Sequence, residues 1–211
     1  MKKVLLVNSS SHQNGCTWRA LKEIQDQLAK DGVESDLLWL GNAPVADCIA
    51  CGHCRGVKGE CVFQDEVNKY GDLMGDVYGG IIAGSPVYYS GVSGRLGSFM
   101  DRLFYSHGKR MRGLIGAAVT SARRGGNTAA FERVNQYYLM SDMIVPGSQY
   151  WNIVHGFSPE DVEKDLEGLQ TMRRLADNVA YLLKLQELGE ANGITMKARE
   201  KATPTHFMDG K

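Results

Sequence analysis

Cys48, Cys51, Cys54 and Cys61 stand at gaps of two, two and six residues. Thiolates two residues apart can turn inward around one centre, and Gly52, Gly56 and Gly59 leave the backbone free to wrap it. The chemistry open to such a segment is a [4Fe–4S] cluster on four thiolates, zinc on four thiolates or on three with His53, or plain thiols and disulfides. Cys16 brings the total to an odd five. The apolar run Val4-Leu5-Leu6-Val7 stops at Asn8, short of the roughly 7–15 residues of a signal-peptide core. A secreted disulfide framework is therefore not expected, and the cytoplasm is the expected compartment. Asp65-Glu66, just past the cysteines, reads as a helix cap rather than as further ligands.

A second set of residues suits an anion. Asn8-Ser9-Ser10-Ser11-His12-Gln13-Asn14-Gly15-Cys16-Thr17 joins an apolar run to an amphipathic one, and no acidic residue occurs from Met1 to Lys22. Hydroxyls, amides and a glycine before a helix amino end make a phosphate cradle, against the plainer reading of a capping loop. The loop is neither a Gly-x-Gly-x-x-Gly nor a Walker sequence, which counts against dinucleotide and ATP cradles. A thiolate phosphatase loop would need an arginine six residues past Cys16, where Lys22 stands, so Cys16 is read as offering its backbone amide.

Two further loops suit a flat heteroaromatic ring. Gly84-Ser85-Pro86-Val87-Tyr88-Tyr89-Ser90-Gly91 sets adjacent tyrosines among small residues, an expected apolar shelf with free amides. Thr120-Ser121-Ala122-Arg123-Arg124-Gly125-Gly126-Asn127 adds glycines for close approach and cations for developing negative charge. His107, Lys109, Arg110 and Arg112 read as a solvated basic turn, with a nicotinamide phosphate or an acidic ferredoxin as the alternative occupant. Trp39, Trp151, His155 and His206 read as packing or surface residues, Trp18 as a residue bordering the ring, and Leu182, Leu183, Leu185 and Leu188 as core or interface.

These loops need strands and helices to hold them. The 211 residues, 43% hydrophobic and 23% charged, suit one ordinary soluble domain at 1–190, a cysteine-rich loop at 43–65 and a tail at 191–211. Twenty-four basic residues balance 24 acidic ones, so neither nucleic acid nor a membrane surface is an expected partner. Periodicity predicts strands over 3–7, 34–40, 78–83, 114–121 and 143–145, the last resuming at 149–152. It predicts helices over 17–30, 92–105 and 128–140, and a long one from Ser158-Pro159 to about Leu188 with a break near Gly168. Such alternation implies an α/β fold, a mostly parallel sheet with helices on both faces, and chemistry at the carboxyl ends of the strands.

Residues 3 to 150 resemble the NAD(P)H-dependent FMN reductase and iron–sulfur flavoprotein family of the flavodoxin-like superfamily. Ser9–Thr17 match its first loop with His12 in place of an arginine and Cys16 in place of an asparagine; Gly84–Arg102 and Thr120–Asn127 match the second and third. The resemblance implies a three-layer flavodoxin-like fold with a five-stranded parallel sheet of order 2-1-3-4-5. It implies FMN held by Ser10, His12, Asn14, Gly15, Cys16 and Thr17 at its phosphate. Around the ring it implies Pro86, Val87, Tyr88, Tyr89 and Ser90, with Ser121, Ala122, Arg124 and Gly125. It implies NAD(P)H as co-substrate, a quinone or flavin as small-molecule acceptor, and a homodimer or homotetramer. The compact cysteine spacing resembles the iron–sulfur flavoproteins, which implies a [4Fe–4S] cluster on Cys48, Cys51, Cys54 and Cys61 fed by a ferredoxin-like donor.

Overall fold

A computed structural model describes residues 1–56, 59–201 and 203; His206 and the rest of the tail's end lie outside the described residues. Strands β1 (Lys3–Asn8), β2 (Ser35–Trp39), β3 (Tyr78–Pro86), β4 (Ile115–Ala122) and β5 (Ile153–His155) pair in parallel in the order β2-β1-β3-β4-β5. Helices α1 (Cys16–Lys30), α2 (Glu66–Leu73), α3 (Gly94–Met111), α4 (Asn127–Met140), α5 (Pro159–Val162) and α6 (Leu166–Ala191) complete the chain. This is the three-layer arrangement expected.

Burial on both faces explains the strand sequences. In β1, Val4 and Leu6 enter the core beneath α1 and α6, while Leu5 and Val7 enter the one beneath α2, α3 and α4. Gly84 lets α1 lie close against β3, since a Cβ there would be 2.8 Å from Leu21 Cδ1 and 2.9 Å from Thr17 Cγ2.

Several boundaries differ from the sequence reading. The fifth strand is Ile153–His155; Ile144 makes only an isolated bridge to Ile115, and 149–152 is a bend. Isolated apolar residues there satisfied the pattern, but only the later segment meets β4 in register. The helix break falls at 163–165, where the Asp165 side chain accepts from Gly168 N–H and starts α6 afresh. Helix α2 fills the interval that periodicity left open, capped by Asp65 through Val67 N–H.

Helix α3 runs on to Met111, so His107, Lys109 and Arg110 lie on a helix and not in a turn. His107 is buried, its ring against the backbone of Gly71, and burial holds its pKa below the usual imidazole value. That basic group borders the amino ends of the strands, as does a cavity of about 1140 Å³ lined by Lys3, Arg110, Leu183 and Met196. The described tail folds over the same end, where Arg112 donates to Lys197 O and Arg199 pairs with Asp142 at 3.0 Å. Among the described residues no helix is long and apolar enough to cross a membrane.

Candidate functional site at the carboxyl edge

β1, β3 and β4 deliver the three loops to one edge. The first is braced from within: Asn8 Oδ1 accepts from Ser10 N–H at 3.0 Å, Asn8 Nδ2 donates to Gln13 O at 2.9 Å, and Ser10 Oγ accepts from His12 N–H at 3.1 Å. Trp39 adds a brace from β2, its indole N–H reaching Ser10 O at 2.8 Å. At the helix entry Gly15 is extended and offers no side-chain cap, and the first turn of α1 holds no acid. The opening amide donors of α1 therefore face the loop without competition from a capping side chain.

Hydroxyls tie the loops to each other. Thr17 Oγ1 lies 2.8 Å from Ser121 Oγ, joining α1 to the end of β4. Ser9 Oγ donates to Gly84 O at 2.8 Å and accepts from Ser93 Oγ at 2.9 Å, and Ser93 caps α3 through Leu96 N–H. Ser85 Oγ accepts from Ser93 N–H at 2.9 Å. Sequence carries no signal for Ser9, Ser85 and Ser93, since hydroxyls that brace a loop look like any loop residue, nor for Trp39, which reads as packing on β2.

The second loop makes a tight turn. Tyr88 and Gly91 exchange both backbone hydrogen bonds at 2.9 Å, with Tyr89 (φ 49°) and Ser90 (φ 63°) left-handed between them. Tyr88 is half exposed and lines a cavity of about 340 Å³ with Ser11, Pro44, Ser93 and Arg95. Tyr89 is fully exposed. Pro86 pairs with Ser121 and Val87 N–H donates to Ser121 O at 3.0 Å, so the second and third loops share a base. Gly126 seals the contact: a Cβ there would lie 3.0 Å from Val87 Cγ1 and from Ser90 Cα.

The first-loop residues Ser10, His12, Asn14, Gly15, Cys16 and Thr17 thus sit together, beside Pro86–Ser90 and Ser121–Gly125. Within that group Ser121 is buried against Thr17 and braces more than it lines. Cys16 turns its thiol to Gly156 O at 3.5 Å; burial raises its pKa, and Asp161 and Glu160 add to the rise against its own backbone N–H. A phosphate with an attached ring fits what is present. The cradle has donors and no carboxylate, and Asn127, first in α4, carries a buried amide nitrogen without a partner among the described residues.

The cysteines are not gathered. Among the described residues no three His, Cys, Asp or Glu side chains could share a metal ion, and all five cysteines are free. Cys61 is pinned: its N–H donates to Asn68 Oδ1 at 2.8 Å, its carbonyl accepts from Asn68 Nδ2 at 2.9 Å, and its Sγ accepts from Arg102 Nε at 3.2 Å. Arg102 is buried, bidentate on Asp65 at 2.7 and 2.8 Å, and lies over the Phe63 ring at 4.9 Å. Cys48 and Cys51 are exposed, on a segment whose regular structure is one 3₁₀ turn, His53–Arg55. Among the described residues one of the four cysteines is anchored and the other three stand on an open segment; the donor types suit a metal, and the four thiols are not gathered around one point.

The family model for NADPH-dependent FMN reductase matches residues 2–158. The chain belongs to the NADPH-dependent FMN reductase family. An iron–sulfur flavoprotein of Methanocaldococcus jannaschii is 32% identical over 191 residues, 87% of this chain and 98% of that one. An iron–sulfur flavoprotein of Methanosarcina thermophila is 29% identical over 75% of this chain and 84% of its own. Among solved structures, a WrbA-like flavodoxin from Agrobacterium tumefaciens superposes with a TM-score of 0.61 at 13% identity, over 88% of this chain and 99% of that one. At that identity the likeness shows the fold alone, which is flavodoxin-like. This FMN reductase-family protein is a flavin oxidoreductase.

Proposed function

We propose that the protein binds one FMN per chain at the carboxyl edge of the sheet, takes electrons from NADPH and passes them to a quinone or free flavin. The observation that carries this reading is the Thr17–Ser121 hydroxyl contact at 2.8 Å, which joins a carboxylate-free first loop to the third loop, to which Val87 N–H in turn ties the second. The α1 amides, Ser10, Asn14 and Thr17 hold the phosphate, with His12 at the rim, exposed. Pro86–Ser90, Ala122, Arg124 and Gly125 orient the ring, and Arg124 offsets negative charge at its edge. FMN supplies the electron-accepting and electron-donating chemistry, so the chain needs no general acid or base of its own.

The relatives named iron–sulfur flavoproteins, with the cysteine spacing, support a [4Fe–4S] cluster on Cys48, Cys51, Cys54 and Cys61. Binding it would require the open segment to close on Cys61, and a ferredoxin-like donor would then be the partner. The cytoplasm is the compartment this reading proposes.

Anaerobic purification with a visible spectrum and flavin, iron and zinc assays tests both parts. The expected result is one FMN per chain, bound more tightly than riboflavin, and iron in excess of zinc. Equal affinity for riboflavin would remove the phosphate cradle from the account. Absence of iron after reconstitution with iron and sulfide would leave an FMN reductase without a cluster.

A further inference from the structure

Among the described residues nine of the twelve arginines are tied down by their side chains. Most pair with carboxylates, and Arg95 donates to Gly41 O. Among the described residues, Arg55 in the 3₁₀ turn and Arg123 and Arg124 on the third loop make neither a side-chain hydrogen bond nor an ion pair, and all three are exposed. Arg124 falls among the ring residues described above, which leaves Arg123, on that loop, without a role.

Its surroundings favour anions. The three loops, over 8–22, 84–100 and 120–131, hold no Asp or Glu. Glu160 and Asp161 at the start of α5 act on Cys16 at the first loop. Asp161 is engaged by Phe157 N–H, Ser158 N–H and Lys164. An aromatic plane stands on the adjoining turn: Tyr89 is fully exposed, held left-handed, and its neighbour Ser90 touches the third loop at Gly126. Left-handed backbone at a non-glycine residue persists where the surroundings hold it, and Tyr89 adopts it between the paired Tyr88 and Gly91.

We propose that Arg123 binds the 2′-phosphate of NADPH at the rim of the flavin site, beside Tyr89, and so sets the preference for NADPH over NADH. The proposal rests on the reading that a nicotinamide nucleotide reduces the bound flavin. The two nucleotides differ only in that phosphate, which lies at the adenosine end, remote from the ring that carries the hydride. Its receptor must then sit at the rim and not on the floor of the site. An unpaired guanidinium offers the bidentate donors a phosphate accepts, and the loops around it hold no carboxylate to compete. The adenine ring is a flat partner for Tyr89.

Anaerobic stopped-flow reduction of the FMN-loaded, full-length protein by NADPH and by NADH tests this. Arg123→Gln should weaken NADPH binding about tenfold while NADH affinity and both limiting rates stay within about twofold. Arg123→Lys should restore part of the loss, and added salt should weaken NADPH binding to the wild type more than NADH binding. Unchanged FMN content in the variants verifies the fold. Parallel losses for both nucleotides, or no change for either, overturn the assignment. So does a loss confined to reduction by a reduced ferredoxin-type carrier, which would make Arg123 a protein-docking residue. A wild-type flavin that neither nucleotide reduces would instead overturn the proposed function, and this inference with it.

Discussion

Thr17 serves two neighbours at once. Its hydroxyl meets Ser121 and its backbone opens α1, so Thr17→Ala removes a bridge between loops as well as a phosphate donor. Thr17→Ala and Ser10→Ala should each weaken FMN binding by about 1.5–3 kcal/mol, read by flavin fluorescence titration. Unchanged affinity in the double variant would place the phosphate elsewhere. Cys16 behaves differently from the cysteines of the open segment. Its half-buried thiol has a raised pKa, while Cys48 and Cys51 are exposed. Iodoacetamide at neutral pH should therefore label Cys48 and Cys51 well before Cys16, followed by peptide mapping; earlier labelling of Cys16 would contradict the geometry. Cys51→Ser should abolish any bound iron yet leave the protein yellow, because the flavin loops lie elsewhere in the chain.

Between elements, the clearest electrostatic joint is the one that holds α1 to α6. Glu23 bonds Arg19 at 2.8 Å on its own helix and Arg173 on α6. Burial acts to raise its pKa, but the hydrogen bonds from Arg173 and Arg19 outweigh it and leave the carboxyl below its usual range. A depressed carboxylate stabilises the fold fully above its unfolded value of about 4.3, and the gain is lost as pH falls through the folded value. Glu23→Gln should thus cost about 1 kcal/mol at pH 7 in urea melts, with the difference closing in acid. A gap that persisted below pH 3 would show that packing, not charge, joins these helices.

The same pair shows why parts of the fold were legible. α1 repeats apolar residues at helical spacing because one face lies on the sheet, and β1 is apolar from Val4 to Val7 because both its faces are covered. β5 is three residues long and takes its place from pairing with β4, which no local pattern encodes. Helix α2 carries a readable cap at Asp65, yet its body alternates glycine, asparagine and lysine too weakly to announce itself. At the site, the glycine and hydroxyl loops could be read from residue types. The role of Arg102 could not, since its partners Cys61, Phe63 and Asp65 are distant in sequence.

The whole molecule leaves apolar surface uncovered. Tyr105, Phe157 and Met140 are each more than half exposed in the single chain. A homodimer or homotetramer is the expected state, and a monomer by light scattering at micromolar concentration would contradict it. The contact between Thr17 and Ser121 spans 104 positions of sequence. The cradle's last brace therefore closes only when β4 has joined a sheet that β1 and β3 begin. Flavin capture belongs to the end of folding, after long-range pairing is complete. In chevron experiments added FMN should slow unfolding in proportion to its affinity and leave the refolding rate untouched. On the ribosome, a nascent chain halted before Ile115 should emerge colourless however much cofactor surrounds it.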